Sequence, residues 1–271
     1  MPYNPRGLFT GTAAYYAEYR PGYPRQMFST LEQRLGLDNT QQVLDLGCGT
    51  GQIAIPLAPR VAHVHAVDPD PDMLVEGATR AAGIANISWR DGDSTRVHDL
   101  GLPLLDVVTM GSSFHWTDRE ALLGTLGEIL PRTGVVVIAG GGRPGTTPPP
   151  PWDDVVTEVR TRYLGAARRA GSGTYRHPER DHTEVLADSA FSAIETQSWR
   201  WSVQRTIDSI IGLQLSFSYS APTLFGSADR YTAFEADLRA ALEQEFGADA
   251  VLTEHLNTTL MVAARPGAVS S

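Results

Sequence analysis

Short apolar runs alternate with amphipathic stretches along residues 42–140. The runs predict strands, because each is as short as a buried strand and is bounded by turn residues. The stretches between them carry apolar residues at helical spacing. Repeated strand–helix–strand units form parallel sheets with right-handed crossovers. The predicted strands lie at 42–47, 63–68, 86–93, 104–111 and 134–140, and the predicted helices at 51–58, 71–83 and 118–130.

This rhythm changes on both sides. Tyr15, Tyr16 and Tyr19 are spaced as in a short helix, which Pro21 ends. A Gly/Pro-rich connector follows at 140–151. Further helices are predicted at 26–36, 153–169, 206–217 and 229–246, and two late strands at 195–204 and 257–264, the second able to pair antiparallel inside the sheet.

Together these elements predict an α/β fold, a doubly wound, mostly parallel seven-stranded Rossmann-like sheet with a helical cap insertion. The predicted organisation is an N-terminal helical lid at 1–36, a ligand-binding α/β core at 37–140, a helical cap or substrate region at 141–190 and 206–250, and the last core strands at 191–205 and 251–266.

Composition narrows the function classes. The single cysteine, Cys48, forms no intrachain disulfide, and neither a signal peptide nor an apolar run of membrane length is visible. We therefore expect a cytoplasmic protein without membrane contact. The net charge of −9 argues against a nucleic-acid partner. All 22 basic residues are arginine, and the absence of lysine excludes Schiff-base chemistry and a P-loop.

The sequence DLGCGTG, at 45–51, places three glycines in a turn between a strand and a helix. Glycines there let a ligand approach the backbone. A phosphate loop is excluded because it needs lysine, and a dinucleotide site is disfavoured because Gln52 stands where its third glycine belongs. Asp45 would repel a pyrophosphate but suits a ligand that bears an amine or a sulfonium.

Four motifs at consecutive strand ends resemble those of class I S-adenosylmethionine-dependent methyltransferases. They are DLGCGTG, HAVDPDPDML at 65–74, RDGDS at 90–94 and DVVTMGSSFHW at 106–116. The sequence YRPGYP at 19–24 and the HW after the fourth strand are most similar to small-molecule methyltransferases of the methyltransferase-11 type. The resemblance covers about residues 10–140 and the last two strands.

The resemblance implies S-adenosylmethionine as cofactor and S-adenosylhomocysteine as product. It implies that Asp68 accepts the ribose hydroxyls, that Met73 packs near the adenine, and that Asp93 accepts from the adenine amino group. Core packing is the alternative for Met73, and a structural role is favoured for Cys48. The residues that we expect at the cofactor are Tyr16, Arg20, Asp45, Gly47, Cys48, Gly49, Gly51, Asp68, Pro69, Met73, Asp93, Ser94, Met110, Gly111 and Ser112.

The N-terminal tyrosines and Arg20 suggest a lid. Aromatic faces suit a sulfonium cation, and Arg20 can clamp the methionine carboxylate. Simple docking of an N-terminal helix on the core is the alternative. The residues that we expect at the substrate are Tyr15, Tyr23, Phe114, His115 and Trp116, although aromatic packing under a loop would also explain Phe114 and Trp116.

His115 is the candidate catalytic base, because it should face the methyl group and titrates near neutral pH. A hydrogen-bonded loop histidine, or one that touches only the cofactor, is the alternative. No metal site is expected, since the histidines of HPERDH at 177–182 have no visible partners.

The sequence therefore predicts methyl transfer from S-adenosylmethionine to an oxygen, nitrogen or carbon of a small organic molecule. Natural-product biosynthesis is one setting consistent with the Arg-, Ala- and Gly-rich composition. The alternatives are non-methylating chemistry with the same cofactor, such as cyclisation, and cofactor binding without turnover. Nucleic-acid methylation is disfavoured by the acidic charge and by the lack of an N/D-P-P-Y motif. The oligomeric state is not predicted.

Overall fold

The fold is built on one seven-stranded sheet, seen in a computed structural model that describes residues 5–141, 148–170, 173–174 and 180–267. The strands are β1 Gln42–Leu46, β2 His63–Asp68, β3 Ile87–Asp91, β4 Val107–Gly111, β5 Val135–Gly141, the two-residue strands β6 Arg169–Ala170 and β7 Gly173–Thr174, β8 Ala193–Thr206, and β9 Val251–Ala264. The sheet order is β3-β2-β1-β4-β5-β9-β8. Strands β1 to β5 run parallel, and β9 pairs antiparallel with both β5 and β8. The doubly wound sheet and the antiparallel late strand are thus confirmed.

Helices cover both faces of the sheet and its carboxyl edge. The α-helices in the described ranges are α1 Ala13–Tyr19, α2 Arg25–Leu35, α3 Ala54–Leu57, α4 Pro71–Arg80, α5 Arg119–Ile129, α6 Asp153–Leu164, α7 His182–Ala187, α8 Ile207–Leu215 and α9 Ala228–Phe246. Asp70 caps α4 by accepting hydrogen bonds from the backbone N–H groups of Asp72 and Met73, which fixes where this helix begins.

Several predicted boundaries differ from the observed ones. The helix predicted at 51–58 begins at Ala54, because the glycine turn occupies the residues before it. The helix predicted at 153–169 ends at Leu164, before Gly165 with φ +78°. The strand predicted at 257–264 in fact begins at Val251. The prediction missed residues 251–256 because they are partly exposed and lack apolar alternation. Residues 142–147 of the predicted connector and 177–179 of the polar loop lie outside the described residues.

The two faces of the sheet carry separate hydrophobic clusters. Helices α2 and α3 contribute Met27 and Leu57 to one cluster, and α5 and α7 contribute Leu126 and Leu186 to the other. A third cluster lies between α6, α8 and α9 and is centred on residues such as Phe234. These helices form a layer of their own beyond the sheet. The division into lid, core and cap stays a prediction.

Helix α1 connects the sheet domain to this helical layer. Arg80 of α4 donates to the carbonyl oxygen of Ala17. Arg205 of β8, which forms a buried ion pair with Glu254 (2.8 Å), donates to the carbonyl oxygen of Tyr19 at 2.7 Å. The Tyr19 ring lies against Gly212 of α8 so closely that a Cβ at that position would overlap it. Helix α1 is therefore held from both sides.

We expect Gly212→Ala to destabilise the protein, because the new methyl group must push the Tyr19 ring and α1 away from α8. The expected loss is about 1–3 kcal/mol in the free energy of unfolding measured by urea denaturation. Gly124→Ala is the matched control, since Gly124 also lies within a helix but has open space around it. The control should stabilise by up to about 1 kcal/mol. Equal effects of the two substitutions would contradict the proposed packing.

Candidate active site

The candidate site lies where β1 and β4 are neighbours and the chain leaves them toward opposite sides of the sheet. Open α/β sheets bind ligands at such a switch point, beyond the carboxyl ends of the strands. The turn after β1 contains Gly47, Gly49 and Gly51, whose φ values are +71°, +53° and +87°. Glycine adopts this backbone conformation without strain. A Cβ on Gly47 would lie 2.5 Å from the Cβ of Ser113, so the turn packs directly on the loop after β4.

Asp68 holds the glycine turn in place. One of its carboxylate oxygens accepts the N–H of Gly49 at 2.8 Å, and the other accepts the N–H of Asp70 at 2.9 Å. The side chain is buried at the end of β2. Burial raises the pKa of Asp68 to about 6, although both hydrogen bonds oppose the rise. The remaining lone pairs of this carboxylate are the ones that a ligand could use.

Asp45 is the buried acid at the end of β1. Its oxygens accept the hydroxyl of Thr109 at 2.8 Å and the N–H of Ala54, at the start of α3, at 3.1 Å. Burial raises the pKa of Asp45 to about 7, more than these two hydrogen bonds lower it. A cation bound nearby would stabilise the ionised form.

A cavity of about 100 Å³, here called the strand-end cavity, opens beyond β2, β3 and β4. It brings together most of the residues that the sequence assigns to an adenosine group: Asp68, Pro69, Met73, Asp93 and Ser94. The N-terminal segment closes it with Leu8 and Phe9, which the sequence did not indicate. The rest of its lining is Tyr16, Leu46, Gly47, Gly49, Asp70, Gly111, Ser112, Ser113, Trp116 and Thr117.

A second cavity, of about 210 Å³, lies between the glycine turn, α1 and the β8–β9 hairpin. We call it the cap-side cavity. Tyr16, Gly47, Gly111 and Ser112 line both cavities, so the two are adjacent. The other lining residues are Arg20, Pro21, Gly22, Tyr23, Asp45, Cys48, Gln52, Ile53, Gly140, Gly141, Trp201, Leu256, Asn257 and Thr258. Burial keeps the pKa of the Cys48 thiol well above its usual value, so that thiol is not a nucleophile here.

Arg20 is fixed at the wall of the cap-side cavity. Its Nε donates to the hydroxyl of Ser216 at 2.9 Å, and its guanidinium lies 4.0 Å from the ring centre of Phe217 and 5.0 Å from that of Tyr16. Cation–π contacts of this kind orient a guanidinium without neutralising it. Arg20 is therefore a cation held at the wall of the cap-side cavity.

Ser112 has a strained backbone where the two cavities meet. Its φ of +53° is rare for a residue other than glycine, and its N–H donates to the carbonyl oxygen of Ala139 at 2.7 Å. Its hydroxyl lies 3.2 Å from that of Tyr23. Burial raises the pKa of Tyr23, so this phenol stays neutral at physiological pH.

Five of the residues predicted at the cofactor or the substrate line neither cavity. Phe114 is buried beneath the loop and packs against His182. The ring of His115 lies against that of Trp116, with ring centres 4.7 Å apart and the planes tilted by 42°. Tyr15 turns toward the helical layer, where its hydroxyl pairs with that of Tyr231. Met110 lies in the core, and a Cβ on Gly51 would meet the Trp89 ring at 2.8 Å, so helix–sheet packing explains this glycine. Phe114 is thus packed in the core and does not line either cavity.

Trp201, Asn257 and Thr258 are among the residues of the cap-side cavity that sequence reasoning missed. They lie on the two late strands, in a region where no motif marks them. The only available signal was the strand pattern itself, and that pattern does not show that β9 inserts beside β5. The cap side of the site therefore depends on the tertiary fold.

The comparisons with known proteins agree with this geometry. A family described as a methyltransferase domain matches residues 43–134. Residues 43–134 are a methyltransferase domain. An uncharacterized methyltransferase of Mycobacterium tuberculosis is 26% identical over 211 residues, which are 78% of this chain and 76% of the relative. A trans-aconitate 2-methyltransferase of the same species is 29% identical over 120 residues, 43% of each chain. The protein is a methyltransferase.

Solved structures share the fold of this methyltransferase. One is an S-adenosylmethionine-dependent methyltransferase of Geobacter sulfurreducens in complex with S-adenosylhomocysteine, with TM-score 0.52 and 17% identity over 98% of this chain and 100% of that one. Another is a phosphoethanolamine N-methyltransferase of Haemonchus contortus, with TM-score 0.50 and 18% identity over 95% of this chain and 57% of that one. Within the described ranges, no helix is long and apolar enough to cross a membrane. Those ranges also hold no group of three or more potential metal ligands.

We expect the affinity of the methyltransferase for S-adenosylmethionine to rise between about pH 5 and about pH 8. Asp45 and Asp68, with pKa values of about 7 and about 6, both carry protons at the lower pH. Those protons must leave before the carboxylates can face a cation or accept ribose hydroxyls. The dissociation constant should fall at least about tenfold, with protons released on binding.

Calorimetry in buffers of different ionisation enthalpy measures both quantities. Asp45→Asn is the matched variant, because its amide can donate to the Thr109 hydroxyl, which can turn to the carbonyl oxygen of Leu44 at 3.4 Å. This variant should release about one proton fewer. An affinity independent of pH, without proton release, would contradict the expected role of both carboxylates.

Proposed function

We propose that the methyltransferase transfers the methyl group of S-adenosylmethionine to an oxygen, nitrogen or carbon of a small organic molecule bound in the cap-side cavity. The observation that carries this proposal is the contact between the two cavities at Tyr16, Gly47, Gly111 and Ser112. One cavity has the chemistry of a nucleoside site, and the other is a small chamber with aromatic walls. The cap-side cavity of about 210 Å³ also borders the glycine turn and Arg20, which would hold the amino-acid end of the cofactor, and the space beside that end suits a small acceptor rather than a polymer.

The relatives are compatible with a small acceptor. One is named for trans-aconitate, a small organic acid, but it matches 43% of this chain. The net charge of −9 supports neither DNA nor RNA as the acceptor. We therefore take from the relatives the reaction class and not the acceptor.

The residues present fit S-adenosylmethionine. Asp68 is buried at the end of β2 with lone pairs left for the ribose hydroxyls, and Met73 is 2% exposed beside it. Asp93 and Ser94 would face the adenine. The glycine turn would lie along the amino-acid portion, with Arg20 placed to bind its carboxylate. S-adenosylmethionine supplies a methyl group that positive sulfur has already activated.

The task of this chain is consequently to align and to exclude water. Tyr16 presents a half-buried ring where the two cavities meet, and aromatic faces attract cations such as a sulfonium. Tyr23 and Ser112 offer neutral hydroxyl groups that can orient the acceptor. Helix α1 covers both cavities through Tyr16.

The test is to incubate the purified protein with S-adenosylmethionine labelled in the methyl group and with pools of small organic molecules. A labelled small-molecule product would support the proposal. Binding of the cofactor without any labelled product would favour a protein that binds without methylating. Absence of both binding and product would overturn the assignment of the site.

We expect Arg20→Met to weaken binding of S-adenosylmethionine at least about tenfold, because the substitution removes the charge that would pair with the methionine carboxylate. Methylthioadenosine, which lacks the amino-acid portion, is the control ligand. It should bind the variant and the wild type equally. Isothermal titration of both ligands measures this, and equal weakening of the two would show general damage to the cavity instead.

We expect His115→Ala to retain kcat within about threefold, because His115 lines neither cavity and is not placed to take a proton from an acceptor in the cap-side cavity. The measurement is the pH dependence of kcat with the acceptor found in the screen. A loss of about a hundredfold or more would restore His115 as the base. Trp116→Leu is the comparison. Trp116, the next residue after His115, lines the strand-end cavity, so this substitution should weaken cofactor binding.

A further inference from the structure

Two aromatic rings lie between the wall of the cap-side cavity and a pair of arginines. The rings of Phe217 and Tyr219, which follow α8, are stacked with their centres 5.0 Å apart. Arg20, in the lining of the cap-side cavity, lies 4.0 Å from the ring centre of Phe217. The guanidinium groups of Arg168 and Arg160 lie 5.1 Å and 5.7 Å from the ring centre of Tyr219. A continuous row of cations and rings therefore leads away from the cavity.

Arg160 is a buried cation without an acid partner. It is 3% exposed, and its Nη1 donates to the carbonyl oxygen of Gly165 at 3.1 Å. Within the described ranges no carboxylate forms an ion pair with Arg160, and the acid that acts on it, Asp153, lies two turns earlier on α6. Buried charges in proteins are normally paired, because a buried charge without a counter-charge is costly. This arrangement calls for a negative charge from a bound molecule.

The place beside Arg160 can be reached from solvent. Arg168 is exposed and Tyr219 is half-buried, and no acid in the described part of the chain pairs with Arg168. Burial raises the pKa of the Tyr219 phenol, and the charges of the three arginines of the row oppose that rise, so all three act at one point. A guanidinium that lies on an aromatic ring keeps its N–H edge free, and that edge matches two oxygens of a carboxylate or a phosphate.

We propose that Arg168 and Arg160, beside the ring of Tyr219, bind an anionic oxygen group of the methyl acceptor, a carboxylate or a phosphate. This inference rests on the proposed function. Arg20 is assigned above to the carboxylate of the cofactor, which leaves the other two arginines of the row for the acceptor.

The acid of the cap-side cavity decides which end of the acceptor carries the charge. Asp45 lines that cavity and would repel an anion there. The anionic group is therefore the end of the acceptor that points away from the methyl group. The acceptor would lie along the stacked rings of Phe217 and Tyr219, with its nucleophile in the cap-side cavity and its anionic end at Arg168 and Arg160.

The first test needs no turnover. The full-length protein is saturated with S-adenosylhomocysteine, which would occupy Arg20, and is titrated with inorganic phosphate followed by phosphorus NMR. Arg168→Gln should weaken phosphate binding at least about tenfold, because the fork that would hold two oxygens is lost. Arg162→Gln is the matched control, since it removes the same charge from the same region but from an arginine that pairs with Asp237 at 3.9 Å. It should bind phosphate as the wild type does.

The second test uses matched acceptors of one ring size. Each carries an amine or hydroxyl nucleophile and, at the opposite end, a carboxylate, a phosphate or a neutral amide. With S-adenosylmethionine labelled in the methyl group, KM should be at least about tenfold lower for an anionic acceptor than for the amide. The carboxylate and phosphate arms show which of the two anions is preferred.

The variants connect that preference to the arginines. Arg168→Gln should raise KM for the anionic acceptor at least about tenfold, with kcat within about threefold, and should leave KM for the amide unchanged. Arg168→Lys should recover part of the loss, because it keeps the charge without the fork. Arg160→Gln should act in the same direction. Because Arg160 is buried, this variant can fail to fold, and the exposed Arg168 then carries the test alone.

The outcomes separate this inference from the proposed function. Phosphate binding that is absent from the wild type, or equal in the wild type and Arg168→Gln, would overturn the anion site. Methylation of the amide in preference to both anionic acceptors would overturn its role in acceptor recognition and leave the proposed function intact. Methylation of no small molecule at all, by a protein that binds S-adenosylmethionine, would overturn the proposed function and the acceptor role together, and the phosphate titration would still decide the anion site.

Discussion

The carboxylate of Asp68 is the interaction on which the rest of the site depends. It accepts hydrogen bonds from the N–H of Gly49 in the glycine turn and from the N–H of Asp70, the residue that caps α4. These bonds fix the loops that follow β1 and β2. Gly49 then stands in its left-handed conformation, and Met73 lies in the first turn of α4 beside the strand-end cavity. A carboxylate at this position is costly to bury, which its raised pKa reflects. The two hydrogen bonds that Asp68 accepts offset part of this cost and hold both loops in place.

Helix α1 extends this order to the cap-side cavity. Tyr16 belongs to both cavities, Arg20 follows one turn later, and the carbonyl oxygen of Tyr19 is held by Arg205 on the hairpin that carries Asn257. The strand-end cavity and the cap-side cavity therefore share one wall. Any displacement of α1 would change both cavities at once, so under the proposed function the cofactor and the acceptor would be coupled through this packed helix.

How far the sequence reaches can be judged from particular residues. Asp45, Asp68 and Asp93 each follow a strand with a clear apolar pattern, and parallel strands bring such ends to one edge, so their proximity was predictable. Phe114 and His115 follow a strand in the same way. One turn of 3-10 helix, at Phe114–Trp116, carries them away from the cavities, and local pattern does not encode that direction. Trp201 and Asn257 depend on the insertion of β9 beside β5, which only tertiary pairing decides.

Under the proposed function, the cap-side cavity would orient an acceptor more than exchange protons with it. Asp45 is the acid in its described lining, and both of its oxygens already accept hydrogen bonds. Burial raises the pKa of Tyr23, so the phenol remains a neutral donor. Because the sulfonium already activates the methyl carbon, alignment and exclusion of water can supply most of the rate enhancement. This arrangement suits a nucleophile that loses its proton only after the new bond to carbon forms, as an amine does, or one that enters already ionised beside a buried acid. Entry of an ionised nucleophile is the costlier course, since its negative charge would share the cavity with the carboxylate of Asp45. The electrostatics of the cavity therefore favour a neutral nucleophile, such as an amine, that loses its proton after the bond to carbon forms.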